Sequence, residues 1–278
     1  MPTDLVVQGL EVETSDLKQL AKLSGANAIE QLASQAFRLR GGKPGTGIAE
    51  LCTARELDYA FVPVERRLAD FRLLVMDMDS TLITIETVDE LADMVGLKSQ
   101  VAEITAQAMR GEIEYDASLE RRVALLAGLE ERALQRVYDE RLKLSPGAEV
   151  LLQRIQKLGI RTLLVSGGFT YVTDRLKARL GLDQCHSNVL EIAAGKLTGK
   201  VLGAIVNADG KRDALVRMRE ELGITRERII AIGDGANDLK FMAEAGVSVA
   251  YHAKPVVRER ATHALNHVYL DGVLNLFN

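Results

Sequence analysis

Residues 71–83 read FRLLVMDMDSTLI: an apolar run from Leu73 to Met76 stops on Asp77, and a second acid, Asp79, follows two residues later. Short apolar runs closed by turn residues are the pattern of strands buried on both faces. The pattern recurs at IRTLLVSGG (160–168), ERIIAIGDG (227–235) and GVSVAY (246–251), with helix-like segments between several of these runs. That order predicts an α/β fold, a doubly wound parallel sheet whose ligands bind beyond the carboxyl ends of its strands. Asp77, Ser166 and Asp234 each close such a run, so one crevice is expected to gather them.

Outward from this stretch, residues 86–141 form a long insert rich in Ala, Leu, Glu and Arg. ETVDELADMVG, SQVAEITAQAMRG, YDASLERRVALLAG and EERALQRVYDERL carry apolar residues at helical spacing, which predicts a helical cap over the mouth of the crevice. CHSNVLEIAAGKLTGKV (185–201) reads as a β-hairpin around a Gly-containing turn. Ahead of the core, DLVVQGL, AFRLRG and YAFVPV read as strands, with helical pieces near 16–23 and 48–57. The expected domains are a small α+β unit over 1–66 and a core over 67–278 carrying the cap at about 86–141. The loop GGKPGTG (41–47) lacks the Gly-Lys-Ser/Thr ending of a phosphate-binding P-loop and reads as a plain turn.

Composition narrows the function classes. With 278 residues, 47% hydrophobic, the chain is long enough for an ordinary core. Thirty-five basic against 39 acidic residues give a net charge of −4, which argues against a nucleic-acid or anionic-membrane partner and leaves room for a small anionic substrate. Cys52 and Cys185 match no metal spacing and are expected to be buried thiols. The N-terminal residues MPTDLVVQGLEVE lack a basic segment before an apolar run, and no uncharged stretch is long enough for a membrane span, so the expected location is cytoplasmic.

Two carboxylates at i and i+2 on a strand face the same side and repel unless a cation lies near them. With Asp234 and Asp238 they make an all-oxygen set, which favours hard Mg²⁺ over zinc. Ser166 offers a hydroxyl, and the amides of Gly167 and Gly168 stand at a helix entrance, a good anion site. Lys211, in NADGKRDAL and expected near a helix start, adds a point charge suited to a phosphoryl group. Together these groups describe phosphoryl transfer, in which a carboxylate can attack phosphorus and divide one displacement into two. His263 and His267 stand at i, i+4, but ATHALNHVYL looks partly extended and supplies no third metal ligand.

DMDSTLI (77–83), SGGF (166–169), Lys211 and GDGANDL (233–239) resemble the four motifs of the haloacid-dehalogenase-like phosphatases, and the resemblance extends into the cap through ETVDELA and AMRGEIEYDASLERRV. It implies Mg²⁺-dependent hydrolysis of O-phosphoserine through an aspartyl-phosphate, the last step of serine biosynthesis. Asp77 would be the nucleophile and Asp79 the acid, then the base. Asp77, the Asp79 carbonyl and Asp234 would hold the metal, with Asp238 in support. Ser166, Gly167 and Lys211 would bind the phosphoryl oxygens, with Asn237 nearby. In the cap, Glu86 would meet the substrate ammonium and Arg122 its carboxylate, while Met109 and Tyr115 line the pocket. The family often has Phe where Tyr115 stands. The N-terminal unit is similar to a shortened or divergent ACT-like module. A homodimer, transfer to an acceptor such as homoserine, and an amino-acid-binding regulator all stay open at this point.

Overall fold

In the computed structural model, which describes residues 2–278, the N-terminal segment forms β1 (Thr3–Gln8), α1 (Thr14–Ser24), β2 (Ala28–Ala33), β3 (Ala36–Arg40), α2 (Ile48–Ala54) and β4 (Asp58–Pro63). The strands make an antiparallel sheet in the order β2-β3-β1-β4. Leu5, Val7, Leu39 and Leu57 pack with Leu17 and Leu20 of α1 and Ile48 and Cys52 of α2, each large side chain so buried contributing about 1.5–3 kcal/mol. Beyond them come β5 (Leu73–Asp77), the cap helices α3 (Thr87–Asp93), α4 (Lys98–Met109), α5 (Tyr115–Ala124) and α6 (Arg132–Arg136), then α7 (Ala148–Lys157), β6 (Arg161–Phe169) and α8 (Thr170–Leu180). The chain continues through β7 (Gln184–Ala193), β8 (Lys196–Leu202), α9 (Ala208–Glu221), β9 (Ile229–Gly233), α10 (Leu239–Met242), β10 (Val247–Tyr251), α11 (Pro255–Arg260) and β11 (His263–Leu265).

The second sheet runs β11-β10-β9-β5-β6-β7-β8. Pairs β9–β10, β10–β11 and β6–β7 are parallel, and the hairpin pair β7–β8 is antiparallel. The fold is therefore α/β with a mostly parallel sheet, as the apolar runs predict. Strands β5, β9 and β10 are buried along their whole length, which is why they read as continuous apolar runs instead of alternating ones.

The chain forms two compact units, one comprising the chain up to Leu74 with Pro146–Ile160 and Ile224–Asn278, the other Val75–Ser145 with Arg161–Gly223. Within the first, the N-terminal sheet meets the C-terminal segment through polar groups. Asp58 accepts the backbone N–H groups of Asn266 (2.7 Å), His267 (2.8 Å) and Val268 (3.1 Å). Arg38, buried, donates to the carbonyls of Phe277 (2.7 Å) and Asn275 (3.1 Å). His263 lies on β11, buried, with Nε2 2.7 Å from Arg66 Nη1. Burial, with the Arg66 charge beside it, pushes its pKa down to about 4, so it stays neutral as the acceptor of Arg66.

Within the second unit the cap helices have their own core. Val88 and Leu91 of α3, Val101 of α4, Leu119 and Val123 of α5 and Leu134 of α6 pack with Phe169, Leu190 and Leu197. The β7–β8 hairpin approaches α5 closely: Gly199 has φ 85°, and a β-carbon there would lie 2.9 Å from Ala127 Cβ and 3.2 Å from the Ala124 backbone. Only glycine fits both demands. Cys52 is buried as expected, its thiol pushed up to about 12 mainly by burial. Cys185 is only half-buried and donates to Asp174 Oδ1 at 3.1 Å.

Candidate active site

Strand β5 delivers Asp77 at its last position, 5% exposed. The chain then turns at once: Ser80 takes left-handed φ 56° and Ile83 N–H closes onto the Met78 carbonyl at 3.0 Å. Asp79 therefore sits in a turn, and the expectation that both acids share a strand face is corrected by the strand ending at Asp77. A non-glycine residue at such φ is strained by about 1–2 kcal/mol, so the surrounding bonds must hold the turn. Ser80 Oγ donates to Glu86 Oε1 (2.7 Å), and Thr87 Oγ1 donates to Asp79 Oδ1 (2.6 Å). The Asp79 carboxyl is raised to about 8, chiefly by desolvation and then by the Glu86 charge, against the lowering effect of the Thr87 hydrogen bonds and Lys211. At neutral pH it can carry a proton and give it up, as a general acid that later turns base must.

Lys211 approaches from α9. Asn207 caps that helix, its Oδ1 accepting the N–H groups of Asp209 (3.0 Å) and Gly210 (3.1 Å), so Lys211 projects from the first turn. Its Nζ lies 2.5 Å from Asp77 Oδ1, with side-chain exposures of 1% and 7%. Burying such a pair costs desolvation that a single ion pair scarcely repays, so its position at a strand end speaks for chemistry more than for stability.

Strand β6 brings Ser166 and its glycines beside these acids. A β-carbon on Gly168 would lie 2.8 Å from Met78 Cε and 3.1 Å from Asp79 Oδ2, and one on Gly167 would collide with the Tyr115 hydroxyl. The bare backbone thus lets the loop approach both the acid and the cap. The Gly168 N–H donates to Ser166 Oγ at 2.8 Å, so this amide is engaged within the end of β6, where the sequence predicts an anion-binding group. Asn188, buried, donates to the Gly167 carbonyl (2.9 Å) and accepts the Val206 N–H (2.8 Å), tying this loop to the segment before α9.

Among the expected cap residues, Tyr115 is half-buried against Gly167, with its hydroxyl pKa raised by burial. Arg122 is half-buried, its Nε donating to the Ser118 carbonyl at 3.3 Å, and its charge acts on Tyr115. Glu86 is exposed and reaches the site through Ser80 and its effect on Asp79. Met109 ends α4 at 66% exposure. In the other unit, Asp238 accepts the N–H groups of Asp234 (3.1 Å) and Gly235 (3.0 Å), fixing the turn after β9 on which Asp234 and half-buried Asn237 sit.

Thr87, Asn188, Asn207 and Asp116 escaped the sequence reading. Asn207 had a signal, a capping residue just ahead of a helix. Its Nδ2 also donates to Asp116 on α5 (3.0 and 3.2 Å), joining the cap to the helix that carries Lys211.

Residues 71–246 match the profile of a family described as haloacid dehalogenase-like hydrolase. The chain belongs to this family of hydrolases. It is 52% identical over 215 residues to a phosphoserine phosphatase of Polaromonas sp., covering 76% of this chain and 91% of that one. It is 40% identical over 277 residues to the phosphoserine phosphatase of Haemophilus influenzae, covering 98% and 88%. The crystal structure of a probable phosphoserine phosphatase from Vibrio cholerae superposes with TM-score 0.86 at 36% identity, covering 99% of this chain and 86% of that one. Residues 5–46 match a domain of unknown function. Among the described residues no helix is long and apolar enough to cross a membrane.

Proposed function

We propose that the chain hydrolyses O-phospho-L-serine to L-serine and phosphate, by way of a phosphoryl group carried on Asp77. The observation that carries the reading is the buried Asp77–Lys211 pair at the end of β5, with the raised carboxyl of Asp79 two residues on. The substrate class rests on the named activity of the relatives. Asp77, Asp234 and Asp238 each offer carboxylate oxygens, and oxygen donors of this kind suit Mg²⁺. Asp77, the Asp79 carbonyl and Asp234 would hold the ion, and when bound it would neutralise charge on the phosphoryl oxygens.

An Asp77 oxygen attacks phosphorus while Lys211 and Ser166 hold the non-bridging oxygens, which gain charge in the transition state. The seryl oxygen is a poor leaving group, so Asp79 gives it a proton as the phosphorus–oxygen bond breaks. Asp79, now a carboxylate, takes a proton from the water that attacks the aspartyl-phosphate, which restores both groups. Glu86 and Arg122 pair with the substrate ammonium and carboxylate, away from phosphorus, and orient it. The same reading divides the chain into an N-terminal domain up to residue 66 and a phosphatase core, and puts the reaction in the cytoplasm at the end of serine biosynthesis.

Phosphate release from phosphoserine tests the proposal. Release is expected with Mg²⁺ and is expected to stop with a chelator; no release with any divalent cation would overturn the reading.

A further inference from the structure

We infer that Asp116 and Asn207 are positioning residues, a latch that sets the spacing between Arg122 and Lys211, the groups proposed to hold the substrate carboxylate and its phosphoryl group. This role deepens the proposed phosphatase reading and rests on it. The Asn207 amide is used at both ends. Its Oδ1 accepts the N–H groups of Asp209 (3.0 Å) and Gly210 (3.1 Å), and its Nδ2 donates to the two carboxylate oxygens of Asp116 at 3.0 and 3.2 Å. Backbone N–H groups only donate, so they fix the amide oxygen toward α9 and the nitrogen toward α5. An aspartate in this place would cap α9 equally well but would face Asp116 with like charge.

The pair belongs to a closed circuit of contacts. Asp116 follows Tyr115 at the start of α5, and the Tyr115 hydroxyl lies against Gly167, where a β-carbon would come within 2.0 Å of it. The Gly167 carbonyl accepts from Asn188 Nδ2 (2.9 Å), Asn188 Oδ1 accepts the Val206 N–H (2.8 Å), and Val206 precedes Asn207. Adjacent residues of α5 therefore touch the end of β6 and the start of α9, the two segments proposed to bind the phosphoryl oxygens, and Asn188 joins those segments to each other. One contact would let α5 pivot; two fix its rotation as well. Arg122 stands further along α5, so its place relative to Lys211 is set at the start of its own helix. A substrate held at both ends needs that spacing, and a misplacement of about 1 Å can cost on the order of 100-fold in rate.

The test swaps donor and acceptor. Asn207→Asp keeps the helix cap but sets two carboxylates against each other, whereas Asn207→Asp combined with Asp116→Asn restores the bond in the reverse direction at unchanged net charge. In Asn207→Asp, kcat/KM for phosphoserine is expected to fall about 10- to 100-fold, and in the swapped double variant to return to within about 3-fold of wild type. Because the loss acts through Arg122, adding Asn207→Asp to Arg122→Ala should cost about 3-fold or less, since groups that act as a unit are not additive. Amide hydrogen exchange without substrate, read on peptides covering the starts of α5 and α9, should be faster in Asn207→Asp and return to the wild-type rate in the swapped variant. Thermal melting identifies misfolding; if Asn207→Asp does not fold, Asp116→Ala, which leaves the α9 cap intact, takes its place with the same expected loss.

No loss in the single variant, no recovery in the swapped one, or full additivity with Arg122→Ala would each overturn the inference. Failure of the substrate reading shows differently: the wild type would leave phosphoserine intact while hydrogen exchange still followed the latch. Exchange rates unchanged in every variant would overturn the latch whatever the substrate.

Discussion

Asp58 and Asp79 are both carboxylates withdrawn from solvent, and the chain treats them in opposite ways. Asp58, 2% exposed, sits where the N-terminal sheet meets the C-terminal segment and accepts three backbone N–H groups in succession, from Asn266, His267 and Val268. Asp79 accepts from Thr87 and has a second acid, Glu86, beside it, whose charge opposes its own. Where donors match an acid's lone pairs, the acid fastens one segment to another. Where they fall short and like charge is near, the acid holds its proton into the neutral range, the condition that proton-transfer catalysis uses.

The difference can be broken by substitution. Asp79→Asn should lower kcat/KM for phosphoserine by about 10²–10⁴-fold, the usual scale for losing a general acid. On the proposed mechanism the acid form is needed for the first step, so kcat/KM should decline as pH rises through about 8, and that decline should vanish in Asp79→Asn. An unchanged profile would detach the raised carboxyl from the chemistry.

Next in size come Arg122 and Glu86, the residues proposed to read the substrate. Arg122→Ala should cost about 10- to 150-fold in kcat/KM for phosphoserine, the effect of leaving a charged partner unpaired, with a much smaller loss on p-nitrophenyl phosphate. Glu86→Gln should discriminate phosphoserine from an ester lacking the amine in the same way. Equal losses on the generic ester would mean that these residues support the fold or the chemistry.

The smallest catalytic effect belongs to the other side of the comparison. Asp58→Ala should destabilise the fold by about 2–4 kcal/mol, because it strands buried N–H donors, measured as a lower denaturant midpoint. Turnover per folded molecule should stay within about 2-fold of wild type. A loss of turnover approaching that of Asp79→Asn would erase the distinction between the two acids.

Much of this was legible from the amino-acid order. The runs ending at Asp77, Ser166 and Asp234 announced strands because a strand buried on both faces has no polar alternation to hide it. Lys211 at a helix start, the cap helices and the β7–β8 hairpin were equally readable. Strand β2 was not: its residues are mostly exposed, as befits a sheet edge, and AIEQLA carries no buried run. The turn at Ser80 was hidden because left-handed backbone at a serine has no compositional sign. Asn188 and Asp116 were hidden because their partners, Val206 and Asn207, lie 18 and 91 residues away, and long-range hydrogen bonds leave no local pattern.

The central claim is that Asp77 carries the phosphoryl group. Enzyme mixed with phosphoserine and Mg²⁺, quenched in acid during turnover and mapped by mass spectrometry, should show a phosphoryl adduct on the peptide containing Asp77. Asp77→Asn should show neither adduct nor turnover, since an amide is a poor nucleophile toward phosphorus. An adduct on another residue, or appreciable phosphate release by Asp77→Asn, would contradict the account.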